Sequence, residues 1–196
     1  MYEPPPTGFP PILMTVDYAK GPPGLLGPSV SIRDGQLRLR TDIVEGNLGY
    51  PASQRSFRDV IVEARMTLVE GGEGDFFGLF LRQSSPDAYY CFSMSPSGRC
   101  VISRYDGAYH PVVDGVLAPD MTFHAGPGRA NLFQVVACGP SLTFLLNHEV
   151  ITGIMVDPAY KEGFLGFYLH HGHRPAPAEL AVDWIQVRAI LPERAP

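Results

Sequence analysis

The chain has 196 residues, 45% of them hydrophobic and 18% charged, with a formal net charge of −5. That length buries one sizeable core without requiring a second, and the balance excludes a disordered chain. The acidic excess argues against nucleic acid or an anionic membrane as partner, because either is held by a basic surface.

With 21 glycines and 20 prolines, many turns and short elements are expected, which favours an all-β sandwich. The opening stretch MYEPPPTGFPPI has no basic region followed by an apolar one, so it does not read as a signal peptide, and no run approaches transmembrane length. Residues 1–11 are expected to form a proline-rich arm and residues 12–196 a single domain. Cys91, Cys100 and Cys138 are too few and too oddly spaced for a disulfide framework or zinc site. A turn centred on Pro96 and Ser97 would make Cys91 and Cys100 diagonal neighbours, whereas cross-strand disulfides prefer opposed partners. All three are expected to be reduced, which fits a cytoplasmic setting.

Strands are expected from Ile12 to Asp17, then on either side of the Asp34-Gly35 turn, with Leu37 and Leu39 alternating against polar neighbours. FRDVIVEARMTLV alternates over more than ten residues: Val60, Val62, Ala64, Met66 and Leu68 take one face, Glu63 and Arg65 the other. Phe76 to Tyr105 reads as three antiparallel strands. Later come a meander with a tight turn at Asn147-His148, then FLGFYLHH and LAVDWIQVRAI. Trp184 alternates with apolar neighbours and is expected in the core. About a dozen short strands without a convincing amphipathic helix imply a two-sheet antiparallel jelly-roll sandwich.

Because a one-residue slip turns a strand's apolar set outward, register can be argued from the pattern. Pairing Arg82 with Tyr89 puts Phe77, Leu79, Leu81, Tyr90, Phe92 and Met94 on a core face. Phe80, Arg82, Tyr89, Cys91 and Ser93 then share the opposite face, joined by Cys100, Ile102 and Arg104. A symmetric turn from Glu70 to Asp75 would set Glu63 opposite Arg82 and Arg65 opposite Phe80. A row of Glu63, Arg82, Tyr89 and Arg104 would then cross four strands. Such a face suits a sugar, with carboxylate and guanidinium groups bonding hydroxyls and rings covering C–H faces. The plain alternative is a solvated sheet face with a cross-strand Glu63–Arg82 ion pair.

The segments FRDVIVEARM, FGLFLR, AYYCFSMSPSGRCVISR, NLFQVVACGPSLTFLLNHEVI, GFLGFYL and VDWIQV resemble the concanavalin A-like lectin/glucanase fold, in its laminin-G-like and DUF1080-like bacterial domains. The resemblance spans about residues 29 to 190. It implies two packed antiparallel sheets with ligands in the concavity of one or on its rim loops. Related family 16 glycoside hydrolases carry an E-x-D-x-E strand. The nearest segment here, VIVEARM, has only Glu63, with Arg65 where a second carboxylate is needed.

Two metal possibilities remain at this stage: HHGHR, where His171 and His173 with Asp183 would form a transition-metal site beside His170, and a structural calcium between Asp17 and Asp183. No nucleophile elbow or phosphate loop is present. The resulting expectation is a non-catalytic, lectin-like domain binding a glycan through Glu63, Arg65, Phe80, Arg82, Tyr89 and Arg104 on the concave sheet face. A sugar-active enzyme using Glu63 or the histidines, and a structural or protein-interaction module, are the alternatives.

Overall fold

The computed structural model describes residues 11–20, 24–155 and 160–190, so all but the last residue of the expected arm at residues 1–11 lies outside the described residues. In chain order the strands are β1 (Ile12–Asp17), β2 (Gly24–Gly27), β3 (Val30–Arg33), β4 (Gln36–Thr41), β5 (Asn47–Pro51), β6 (Val60–Glu70), β7 (Phe76–Ser85) and β8 (Ala88–Met94). They continue as β9 (Arg99–Asp106), β10 (Tyr109–Val116), β11 (Ala130–Cys138), β12 (Ser141–Leu146), β13 (Glu149–Met155), β14 (Phe164–His170) and β15 (Ala178–Ala189). A nine-stranded sheet runs β13-β12-β11-β6-β15-β4-β3-β2, with β1 also paired to β15. A six-stranded sheet runs β10-β9-β8-β7-β14-β5. The described pairs are antiparallel, and the fold is the expected two-sheet jelly-roll sandwich.

Alternation explains why the sheets pack. Val62, Ala64 and Met66 of β6 face Leu79, Phe92 and Phe167 of the other sheet in one continuous core. Phe133 sits at the seam, with ring centroids 5.3 Å from both Phe77 and Phe92, while Phe144 lies 5.2 Å from Phe92. The expected core set Phe77, Leu79, Leu81, Tyr90, Phe92 and Met94 is buried as a whole.

The structure corrects three details of register and pairing. β6 and β7 do not form a hairpin: they lie in different sheets, and residues 71–75 cross between them. Strands consecutive in sequence are usually neighbours, but here the apolar faces of β6 and β7 meet across the core rather than side by side. The β8–β9 loop holds three residues rather than two. Gly98, at φ +89°, adopts a conformation that an L side chain resists, and Ser95 N–H donates to Arg99 O at 2.9 Å beyond it. The extra residue turns Cys100, Ile102 and Arg104 inward and Val101, Ser103 and Tyr105 outward. Cys91 opposes Ser103 and Cys100 opposes Met94, so the two thiols occupy opposite faces. Finally, a bulge at Asp183 places Trp184 opposite Arg65, on the outer face of the nine-stranded sheet, instead of in the core.

One buried carboxylate fastens two crossings between the sheets. Asp75, at the end of the β6–β7 crossing, is fully buried. Its Oδ1 accepts from Gly172 N–H (2.7 Å) and His171 Nδ1–H (2.9 Å), and its Oδ2 from Gly72 N–H (2.7 Å) and Arg174 Nε–H (2.7 Å). His171, Gly172 and Arg174 belong to the return crossing from β14 to β15. Burial by itself pushes this carboxyl up, but the four hydrogen bonds outweigh it and hold it below the ordinary aspartate value. The folded-state pKa is therefore depressed, so its contribution is complete above the unfolded aspartate pKa of about 4 and is lost as pH falls through the folded value. Urea denaturation is expected to show that Asp75→Ala costs about 3 kcal/mol at pH 7, and that the gap between variant and wild type narrows below about pH 4. A pH-independent gap would contradict this assignment.

Candidate functional site

The outer face of the six-stranded sheet carries a cleft of about 250 Å³. Register brings its parts together from β5, β14, β7, β9 and β10. His170 opposes Asn47 on one side and Phe76 on the other, Tyr168 opposes Gly78, and Tyr105 opposes Tyr109. Buried Ser93 and Ser103 and the apolar Val101 form its base.

Tyrosine rings build one wall. Tyr89 stacks on Tyr105 at 4.6 Å with planes 15° apart, and Tyr105 leans on Tyr109 at 5.5 Å. Tyr109 is the exposed member, about half accessible. At the other wall Arg99 lies 5.7 Å from the Phe76 ring centroid, a cation–π distance, and Phe76 meets His170 at 6.2 Å. Arg99 also forms a two-pronged pair with Asp114, Nε to Oδ1 at 2.8 Å and Nη2 to Oδ2 at 2.7 Å. This guanidinium holds the Asp114 carboxyl below its ordinary value.

A polar chain crosses the floor. Tyr168 Oη–H donates to Asn47 Oδ1 at 2.7 Å, and His170 Nδ1 lies 3.0 Å from the same Asn47 oxygen. Burial raises the pKa values of Tyr105 and Tyr168, so they stay protonated. His170 moves the other way: burial lowers its pKa, outweighing the pull of Asp75 and Glu45, and keeps the ring neutral near pH 7.

No family model and no curated protein matches the sequence. Solved structures do match its fold. A Bacillus subtilis protein of unknown function with a galectin-like fold shares 15% identity at a TM-score of 0.65, covering 91% of this chain and 96% of its own. The carbohydrate-binding module CBM66 from Bacillus subtilis shares 16% identity at 0.62, covering 78% and 86%. The catalytic domain of an endo-1,3-beta-glucanase from Thermotoga petrophila RKU-1 shares 11% at 0.56, covering 82% and 80%. These likenesses show a shared jelly-roll sandwich fold. At such identities the likeness speaks for architecture and leaves the chemistry to the side chains.

Within this jelly-roll sandwich the expected four-strand row is dispersed. Glu63 and Arg65 lie on the outer face of the nine-stranded sheet. Glu63 accepts from Gln134 Nε2 at 2.9 Å, and Arg65 Nε lies 3.2 Å from Asp183. Phe80 and Tyr89 do share the outer face of the six-stranded sheet, in edge contact at 6.1 Å. Phe80, however, is buried: its ring covers Gly166, where a Cβ would stand only 2.6 Å from it. Arg104 points to the inner side beside Ile102 and pairs with Asp106 at 2.6 Å.

Arg82 departs furthest from expectation. Pairing between β7 and β8 holds through Leu81 opposite Tyr90, then slips, and Arg82 takes a positive φ of 52°. Its side chain is 2% exposed and donates to Tyr160 O (3.1 Å) and Gly139 O (2.8 Å), binding the β11–β12 turn to the end of β7. The expected metal ligands are also separate. His171 serves Asp75, exposed His173 pairs with Glu45 at 2.7 Å, and Asp183 accepts from Gln36 and pairs with Arg65. Asp17 is held by Lys20 at 3.0 Å. Among the described residues no group of three or more His, Cys, Asp or Glu side chains converges as a metal site.

Tyr105, Tyr168, Asn47, Arg99 and Phe76 were not among the expected ligand-binding residues, and His170 entered only with the histidine cluster, read as a metal site or as an enzyme's catalytic group. The signals were present: Tyr168 and His170 alternate against Phe167 and Leu169, and Pro-Ser-Gly suits a three-residue loop with a left-handed glycine.

These placements reverse the expected phenotype of Arg82. Arg82→Ala strands two carbonyls and is expected to cost about 2–4 kcal/mol, lowering Tm by about 5–15 °C in a thermal melt. An unchanged Tm would contradict the structural role.

Proposed function

We propose that this protein is a non-catalytic carbohydrate-binding domain whose site is the cleft on the outer face of the six-stranded sheet. The observation that carries the reading is the joining of aromatic rings and hydrogen-bonding groups in one cleft. Tyr105, Tyr109 and Phe76 supply apolar surface, while Asn47, Tyr168 and His170 supply polar atoms. A sugar ring has apolar C–H faces and a hydroxyl edge, and it matches both.

The cleft supports recognition over hydrolysis. Glycoside cleavage needs two carboxyl groups flanking the scissile bond, and among the described residues no Asp or Glu side chain lines the cleft. The nearby Asp114 is held ionised by Arg99, the wrong state for a general acid. Carbohydrate-binding modules and glucanases among similar folds agree with a glycan partner without choosing one.

Tyr109 is the best single probe because it is exposed and its loss leaves the core intact. On a glycan array the protein is expected to retain a definable set of sugars, and Tyr109→Ala to weaken the best of them about tenfold in calorimetric titration, as loss of about 1.4 kcal/mol of ring contact implies. Arg65→Ala, on the opposite sheet, is expected to leave affinity unchanged. No retained glycan, or equal loss in both variants, would overturn the assignment.

A further inference from the structure

The hydrogen-bond directions across the cleft floor constrain what kind of sugar fits. Asn47 Oδ1 is a carbonyl oxygen and only accepts. Tyr168, with one hydroxyl proton, therefore spends it on Asn47 at 2.7 Å. Tyr168 lines the cleft, and its Oη then offers a ligand only lone pairs.

His170 follows the same logic. Its Nδ1 faces the Asn47 oxygen at 3.0 Å and must carry the proton. In a neutral ring Nε2 is then an acceptor. The chain from Tyr168 through Asn47 to His170 thus presents acceptors at both ends. A ligand meeting it must donate, as a hydroxyl does and a carboxylate does not.

Charge points the same way. Among the described residues lining the cleft Arg99 is the one permanent cation, and Asp114 neutralises it through both oxygens. An anionic sugar would meet a compensated guanidinium, the Asp114 carboxylate behind it, and a chain of net charge −5.

We propose that the cleft selects neutral glycans over uronate- or sialate-bearing ones, reading their hydroxyls through Tyr168 Oη and His170 Nε2 and excluding anions through the Arg99–Asp114 pair. This rests on the carbohydrate reading of the cleft and adds its selectivity. It is tested with matched oligosaccharide pairs differing only at C6: cello-oligosaccharides against their glucuronate counterparts, and galacto- against galacturono-oligosaccharides. In each pair that binds, the neutral member is expected to bind at least about tenfold tighter at pH 7.5. Equal or tighter binding of the uronate overturns the inference while leaving carbohydrate binding intact. Retention of no glycan overturns both.

Two variants separate the two devices. Asp114→Asn leaves the Arg99 charge uncompensated and is expected to raise uronate affinity severalfold, shrinking the preference. Tyr168→Phe removes one acceptor and is expected to weaken the neutral member severalfold. A preference ratio unmoved by Asp114→Asn, or a neutral affinity unmoved by Tyr168→Phe, counts against the proposed recognition.

Discussion

The loop of Pro96, Ser97 and Gly98 constrains the site more than any other short stretch, because its length sets the parity of β9. A two-residue loop would expose Cys100, Ile102 and Arg104 on the outer face. The three-residue loop, closed through Gly98 in a left-handed conformation, presents Val101, Ser103 and Tyr105 there instead. Tyr105 then stacks on Tyr89 and meets Tyr109 from the edge strand. Period-two strands amplify a single turn residue into a complete exchange of faces, so the chemistry of the cleft depends on a glycine that does not line it.

Charged groups in this sandwich divide into framework and surface. Asp75 and Arg82 are both buried, and each satisfies backbone groups where the chain leaves one sheet: Asp75 joins the two crossings near residues 72 and 172, and Arg82 holds the carbonyls of Gly139 and Tyr160. A buried ion that satisfies backbone partners fixes geometry because its loss leaves them unpaired. The outer face of the nine-stranded sheet has another character. Its buried Glu179 is gripped by Arg33, Arg38 and Arg40 at 2.7–3.1 Å, which closes that surface on itself. The six-stranded face keeps the aromatic cleft.

Much of the fold was legible in the residues. Alternation in β6, β7 and β8 identified the core faces, and Asp34-Gly35 and Asn147-His148 marked turns whose central residues all have positive φ. The site was less legible, for physical reasons. Alternation says which residues share a face of one strand but not whether the next strand pairs beside it or stacks across the core, so Glu63 was matched with Arg82. Propensity does not reveal a bulge, so Arg82 and Trp184 each appeared on the wrong side. Tyr89 was placed on the correct face, while its partners Tyr105 and Tyr168 depended on a loop length and on pairing between strands far apart in sequence.

The central claim is that ligand chemistry resides on the six-stranded sheet. Backbone amide chemical-shift mapping during titration with a neutral oligosaccharide retained by the protein tests it directly. The account predicts saturable shifts concentrated at Phe76, Val101, Tyr105 and His170, with Glu63, Arg65 and Trp184 unmoved. Shifts confined to the nine-stranded face around Arg65 and Trp184 would contradict it.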